Sequence, residues 1–311
     1  MPPQEIRRRH GPLGARGERS RQAALSERHA GVRALAAAAI AAVEPGALLR
    51  AALADESLRH PSFGHRPVFV VAAGKAGAAM LAACRAELDV ARTVVALASH
   101  PLPDVLSVEA GEAALALAED ARRADTELVV LLSGGASAML AAPADGVTLE
   151  LKRDATRRLL ASGASIHEIN AVRKHLSRIK GGRLAFGVSC TTFALSDVTD
   201  DDPASIGSGP TVPDPSTRED AMRVIERTGL VRDLPEVMQA IVHGGETPKT
   251  GDPRLARSRF VLIGGRRTAM DGVVTAALLG EHATIVLDEP ITGDASAAGA
   301  AFAARARAAA R

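Results

Sequence analysis

The sequence predicts an α/β fold built on a doubly wound, mostly parallel sheet. Three observations carry that prediction. Residues 67–73 (PVFVVAA) and 127–132 (ELVVLL) are near-continuous apolar runs, the pattern of strands covered on both faces. Each runs into a glycine-bearing turn, Gly74-Lys75-Ala76-Gly77 and Ser133-Gly134-Gly135-Ala136-Ser137, and each turn opens a helix. A third strand–glycine–helix succession recurs at Phe260-Val261-Leu262-Ile263-Gly264-Gly265, and such alternation is how a chain makes the crossovers that parallel strands need.

Taken in order, residues 23–60 are Ala/Leu-rich with interspersed charges, which predicts two helices separated near Pro45-Gly46. After the first strand, residues 78–90 read as a helix and 93–99 as a second strand. His100-Pro101-Leu102-Pro103-Asp104 then forms a loop stiffened by two prolines and carrying a histidine and a carboxylate. Residues 109–124 form a helix before the third strand, and 151–162 (LKRDATRRLLAS) a basic one. Ser165 with Glu168 makes a capping box for a helix that ends at Gly181-Gly182. Its apolar stripe is Ile169, Val172, Leu176 and Ile179, while Asn170, Lys174, Ser177 and Gly181 share a polar face. Residues 191–195 (TTFAL) are a strand, Ser216 with Glu219 a second capping box, and 229–258 mostly connection. A helix from Thr268 to Leu279 and a strand at 283–287 (ATIVL) complete a last βαβ unit, followed from Asp294 by an Ala-rich helix.

Composition narrows the function classes. The 38 basic and 36 acidic residues leave no overall field to attract nucleic acid or an anionic membrane. Without Trp or Tyr, there is no stacking platform for single-stranded nucleic acid. Cys84 and Cys190 stand apart from any zinc-ligand spacing and read as reduced core residues. Residues 1–22 are basic, rich in Gly and Pro and without the apolar centre of a secretory signal, so they read as a disordered leader. The longest apolar run, 35–43, falls well short of the ~20 residues of a membrane span, so a cytoplasmic location is expected.

The chemistry concentrates in residues 191–217, where an apolar strand breaks into Asp197, Asp200, Asp201 and Asp202 and then a Gly/Ser/Thr/Pro loop. Carboxylates so close call for a cation or basic partners, although a solvated acidic turn accounts for them equally well on local grounds. Lys75 sits at a helix start able to present free amides to an anion. The surrounding GKAG is neither GxxxxGK[ST] nor GxGxxG, and a capped helix with an exposed lysine explains it as well. Two such turns favour a phosphate site, because ligands of open α/β sheets bind beyond the carboxyl ends of strands.

Six segments in one order, VVAAGKAGAAM (70–80), HPLPD (100–104), LLSGGASAML (131–140), INAVRKHLSRIKGGRLA (169–185), LSDVTDDDPASIGSGPTVPDPST (195–217) and ETPKTGDP (246–253), make the chain resemble the glycerate 2-kinases. That family is also known by its C-terminal MOFRL domain, and some members carry the name hydroxypyruvate reductase. The resemblance covers residue 24 to the end and implies an ATP-dependent, Mg²⁺-assisted phosphorylation of D-glycerate to 2-phosphoglycerate on a Rossmann-like N-terminal domain. It implies Lys75 and Asp197 as catalytic residues. Gly74, Ser133, Gly134, Gly135, Ser137, Ser208, Gly209 and Thr211 fall on the nucleotide side. Asn170, Arg173, Lys174 and Lys180 are implied for the substrate, and Asp197 with Asp201 for the metal.

The implied partners are glycerate and ATP, with no nucleic acid and no membrane; homo-oligomerisation stays open. Ala136, Asp200 and Arg266 depart from the family pattern, standing where glycine, glycine and asparagine are usual. The resemblance also implies one α/β domain over 23–293 and a helical linker over 294–311 leading toward an absent MOFRL domain, with activity impaired for want of that domain's groups. Two rivals remain: an NAD(P)H-dependent reductase, against which counts the lack of a GxGxxG with a downstream ribose-binding acid, and a non-catalytic ligand-binding remnant of the kinase.

Overall fold

A computed structural model describes residues 29–58, 63, 65–97, 101–287, 289–291 and 293–309. The leader at 1–22 and His100 lie outside the described residues. Two helices open the described chain, α1 (His29–Ala42) and α2 (Pro45–Ala54), the second capped by the Glu44 carboxylate. The core then alternates: β1 (Val68–Ala73), α3 (Gly77–Glu87), β2 (Val90–Ala96), α4 (Val105–Arg123), β3 (Leu128–Leu132) and the short α5 (Ala136–Met139). A helical stretch follows with α6 (Leu149–Ala161) and α7 (Ile166–His175), then β4 (Cys190–Leu195), α8 (Arg218–Arg227), α9 (Leu230–Asp233) and α10 (Pro235–His243). The chain finishes with β5 (Ser258–Gly264), α11 (Arg266–Leu279) and α12 (Ala295–Ala309).

The strands form one five-stranded sheet in the order β2-β1-β3-β4-β5, and every pairing is parallel. The sequence expectation of a mostly parallel sheet is therefore met in full. Residues of both parities along the inner strands are buried, which is why those strands read as unbroken apolar runs. Val71, Val130, Leu132 and Ala194 face one core that α4 closes with Ala114, Leu117 and Ala121. Val70, Val129, Leu131 and Phe193 face the other, closed by α2 and α3 through Leu49, Leu53 and Met80. At roughly 1.5–3 kcal/mol for each large apolar side chain buried, these two layers dominate the sheet's stability. A third core, with Leu159, Ile169, Val172, Val224, Ile225, Val237 and Ile241, joins α6, α7, α8 and α10.

Several expected elements differ. The helix opened by the Ser165–Glu168 capping box stops at His175, so Ser177 and Gly181 do not share its polar face. Ser177 instead bridges Pro143 in antiparallel fashion and donates from Oγ to Ala142 O (3.1 Å), and this pairing pulls the chain out of the helix. The cap of α8 is Thr217 with Asp220, one residue later than Ser216 with Glu219. Residues 229–258, expected to be connection, contain α9 and α10. The predicted strand at 283–287 is not a strand, because no neighbour pairs with it among the described residues.

The chain divides into two compact units, Val43–Thr268 and Met1–Ala42 with Ala269–Arg311. In the second, Gly272 of α11 meets α1 so closely that a Cβ there would lie 2.3 Å from Ala42 Cβ. A cavity of about 690 Å³ in this unit is lined by Val273, Ile285, Leu287, Phe302 and Ala306 among others. In the first, Gly111 of α4 rests on the backbone after α5: a Cβ at that position would lie 2.0 Å from Ala141 O. Gly111→Ala is therefore expected to destabilise the chain by about 1–3 kcal/mol despite alanine's better helix propensity. A lowered urea midpoint with unchanged slope checks this; an unchanged or raised midpoint refutes the packing argument.

Candidate active site

In an open parallel sheet the crevice for a ligand opens where the winding reverses. Here β2 lies on one side of β1 and β3 on the other, so the reversal falls between β1 and β3, and the two glycine turns follow those strands. The turns are stitched together. Lys75 N–H donates to Gly134 O (2.9 Å) and Ala76 N–H to Ser133 Oγ (2.9 Å). Gly74 has φ +110°, and a Cβ on it would meet Ser133 O at 2.4 Å, so only glycine lets the turns touch.

This stitching engages the amides of the turn that leads into α3. The N–H groups of Lys75, Ala76 and Gly77 all have partners inside the chain, so of the donors expected at this helix start the ones left are those of Ala78 and Ala79 in the first turn. The second turn keeps its donors: the N–H groups of Gly134 and Gly135 reach no acceptor among the described residues. Asp197, two residues past β4, comes to the same place. A methyl on Gly134 would lie 2.2 Å from Asp197 Oδ2, and this exposed carboxylate makes no hydrogen bond or ion pair among the described residues. Lys75 is likewise exposed and unpaired. A residue with a free ammonium, a free carboxylate and two free amides thus converge on Gly134 from β1, β4 and β3.

Beside this lies a buried polar cluster. Lys180, 1% exposed, donates to Ser137 O (2.7 Å), Ser137 Oγ (3.1 Å) and Gly207 O (3.4 Å). Ser137 Oγ and Ser208 Oγ share a hydrogen bond of 2.6 Å, and Ser208 Oγ donates to Asn170 Oδ1 (3.0 Å). The loop bearing Ser208 and Gly209 is held by Gly181 N–H to Ser208 O (3.1 Å) and Gly182 N–H to Gly209 O (2.7 Å). Thr211 is committed to structure, its hydroxyl paired with Thr192 Oγ1 at 2.7 Å against β4. Lys174 is committed too, donating to Asp214 Oδ1 (2.9 Å) in a buried ion pair. Thr247 and Ser216 hydroxyls complete the Asp214 carboxylate (2.9 and 2.7 Å).

Basic side chains crowd together here. Lys152, buried and donating to Leu176 O (2.7 Å), is pulled down to about 7 by burial and by Arg173 and Arg183. Burial, with Arg173, Lys152 and Lys174 nearby, holds Lys180 well below the ordinary lysine range. Arg173 is half-buried, reaches no acceptor, and is lowered by burial to about 10.

The acidic run divides by role. Asp202 accepts from Ala204 N–H (3.0 Å) and Ser205 Oγ (2.8 Å), turning the chain, while Asp200 faces His167 Nε2 at 3.3 Å. Asp201 has φ +52° and packs its carboxylate against Gly265, with Oδ1 buried and without a hydrogen bond. Among the described residues no group of three or more His, Cys, Asp or Glu is gathered to hold a metal. A Mg²⁺ carried on nucleotide phosphates needs only one or two carboxylates, and the unpaired Asp197 oxygens fit that donor set.

Reading the sequence missed Asp214, Lys152 and Arg183. The signal for Asp214 was indirect: a lysine on a helix that packs into a core requires a buried counter-charge.

Comparison with known proteins gives the family. A hydroxypyruvate reductase, so named, of Agrobacterium vitis is 41% identical over 73% of this chain and 55% of its own length. The glycerate 2-kinase of Pyrococcus horikoshii is 35% identical over 75% of this chain and 57% of its length, and the D-glycerate 2-kinase of Thermotoga maritima 42% over 56% and 40%. The chain thus spans roughly half the length of such relatives. A crystal structure of glycerate kinase from Thermotoga maritima superposes with a TM-score of 0.65 at 33% identity, over 79% of this chain and 61% of that one. A crystal structure of a Pyrococcus horikoshii protein gives 0.69, also at 33%, over 81% and 63%. Residues 31–243 match the family model described as a domain of unknown function (DUF4147), and the chain belongs to that family, in the company of proteins named glycerate kinase.

Proposed function

We propose that this chain carries the catalytic α/β domain of a glycerate 2-kinase, transferring the γ-phosphoryl group of ATP to D-glycerate. The observation that carries the reading is the convergence on Gly134 of unpaired Lys75 and Asp197 with the free Gly134 and Gly135 amides. Phosphoryl transfer asks little covalent chemistry of a protein and much positioning and charge compensation. In this reading the two amides hold phosphate oxygens, and the Lys75 ammonium offsets the negative charge that shifts onto them. Asp197 orients the 2-hydroxyl and accepts its proton as that oxygen bonds to the γ-phosphorus and the bond to the ADP oxygen breaks. Mg²⁺, when bound with the nucleotide beside Asp197, supplies further positive charge on the phosphates.

Some relatives carry the name hydroxypyruvate reductase, which sets the rival reading. The turn after β1 opposes it: GKAG lacks the second glycine spacing of a dinucleotide fingerprint, and its amides are already engaged. Purified protein with D-glycerate, ATP and Mg²⁺ is expected to release ADP and form 2-phosphoglycerate. NADH oxidation with hydroxypyruvate, in the absence of ADP release, would replace the kinase reading with the reductase.

A further inference from the structure

Lys180 is the least exposed of the lysines beside the glycine turns, at 1%, and its head group is wholly used. Nζ meets two backbone carbonyls, Ser137 O (2.7 Å) and Gly207 O (3.4 Å), and the Ser137 hydroxyl at 3.1 Å. Carbonyls only accept, so two N–H groups go to them whether the amine carries two hydrogens or three, and Ser137 Oγ takes what remains. No donor is left over for a ligand. The place is also an unfavourable one for a lysine, since burial and the nearby charges of Arg173, Lys152 and Lys174 all oppose an ammonium there. A polar head retained in such surroundings is retained for what it joins.

It joins the two loops of the candidate site. Ser137 belongs to α5, directly after the turn with the free amides, and Gly207 to the loop after β4, where a Cβ would lie 3.5 Å from Ala136 Cβ. The lysine's own backbone is fixed, with Ile179 fully buried before it and Gly181 N–H donating to Ser208 O (3.1 Å) after it. From Ser137 the constraint reaches the amides. Ser133 C=O and Gly134 N–H share one planar peptide, and Ser133 O accepts from Ala136 N–H (3.1 Å), while Gly135 O accepts from Ala138 N–H (3.0 Å). A shift of Ser137 therefore tilts the plane that aims the Gly134 amide. We infer that Lys180 is a positioning residue that cross-braces the turn after β3 and the loop after β4, presetting the Gly134 and Gly135 amides, and that it does not touch the substrate. The substrate role that the resemblance implies for Lys180 thereby falls away. The brace rests on the kinase reading only for its effect on turnover, not for its existence.

Lys180→Met fills the same space without donors, and Ser208→Ala cuts the Ser137–Ser208 hydrogen bond of 2.6 Å that links the same two loops. Initial rates with D-glycerate, ATP and Mg²⁺ are paired with hydrogen exchange of the whole chain, read by mass spectrometry. In Lys180→Met, kcat is expected to fall about 10- to 100-fold with the KM for D-glycerate held within about threefold, the scale of a slightly misaimed group. Exchange over 133–140 and 205–209 is expected to rise about tenfold or more, while that over 68–73 in β1 stays as in wild type. Ser208→Ala should move both readouts the same way by about 3- to 10-fold, and carries the test should the methionine variant not fold. The double variant should lose little beyond Lys180→Met, because both changes act on one brace. A raised KM with kcat unchanged would make Lys180 a substrate contact and overturn the brace, as would strictly additive losses or unchanged exchange in the folded variants. Faster exchange confined to the two loops, without ADP release from wild type, would leave the brace standing and remove the kinase reading. ADP release with exchange unaltered would do the reverse.

Discussion

Asp214→Ala is expected to cost roughly 3–5 kcal/mol, because it strands the Lys174 ammonium in a site where both partners are all but inaccessible to water. That is a large share of the ~5–15 kcal/mol that holds a typical domain together. The loss extends beyond one pair: the same carboxylate accepts from Thr247 and Ser216, so its removal also releases the 246–249 segment from the start of α8. Urea unfolding of Asp214→Ala, Lys174→Met and the double variant separates these effects. The double variant is expected to be more stable than Asp214→Ala, since it leaves no unpaired charge; equal or lower stability would mean that the pair is not the source of the cost.

The same group sets an acid limit. Burial pushes the Asp214 carboxyl up, but the Lys174 charge and the donors of Lys174 and Ser216 together hold it below its ordinary value of 3.8. A carboxyl lowered in the folded state contributes its stability above its unfolded value and loses it as the pH falls through the folded one. Stability should therefore decline as the pH falls below about 4, and Asp214→Ala should remove that part of the decline.

Lys75→Ala is expected to reduce phosphoryl transfer by about 10³-fold, the scale on which a cation at the transferring phosphate acts. The side chain is exposed and unpaired, so the melting temperature should stay near that of wild type, with stability changed by no more than about 0.5 kcal/mol. Initial rates of ADP formation alongside a melting curve decide the matter. A rate within tenfold of wild type would assign Lys75 to the solvated surface.

The sheet was legible because its inner strands are apolar on both parities, a pattern that only two-sided burial sustains. Both glycine turns were legible for a related reason, since they end such strands. Elements whose state depends on distant partners were not. Residues 283–287 have the β-branched composition of a strand, but a strand exists only by pairing, and composition carries no information about an available edge. The end of α7 was misplaced because the bridge from Ser177 to Pro143 overrides a run of good helix formers. The grouping of Lys75, Asp197 and the two turns at one candidate site was legible, since each follows a strand of the same sheet. The site was opaque at Asp214, which meets Lys174 across 40 positions of sequence. The standing of Lys174 itself changed once that partner came into view.

The close approach of Asp197 to Gly134 has a consequence for variation in this chain. The hydrogen on the Gly134 α-carbon occupies the only room between the turn and the carboxylate, since any side chain would begin 2.2 Å from Oδ2. The two positions are therefore not independent: a larger residue at 134 is tolerable only where the carboxylate at 197 swings aside or is replaced by a smaller group, either of which takes it from the turn. A library randomised at 134 and selected for turnover should return almost nothing but glycine, while selection for folding alone should admit small residues there. One randomised at both should return coupled pairs that fold, bind nucleotide and do not turn over, marking where the demands of shape and of chemistry part.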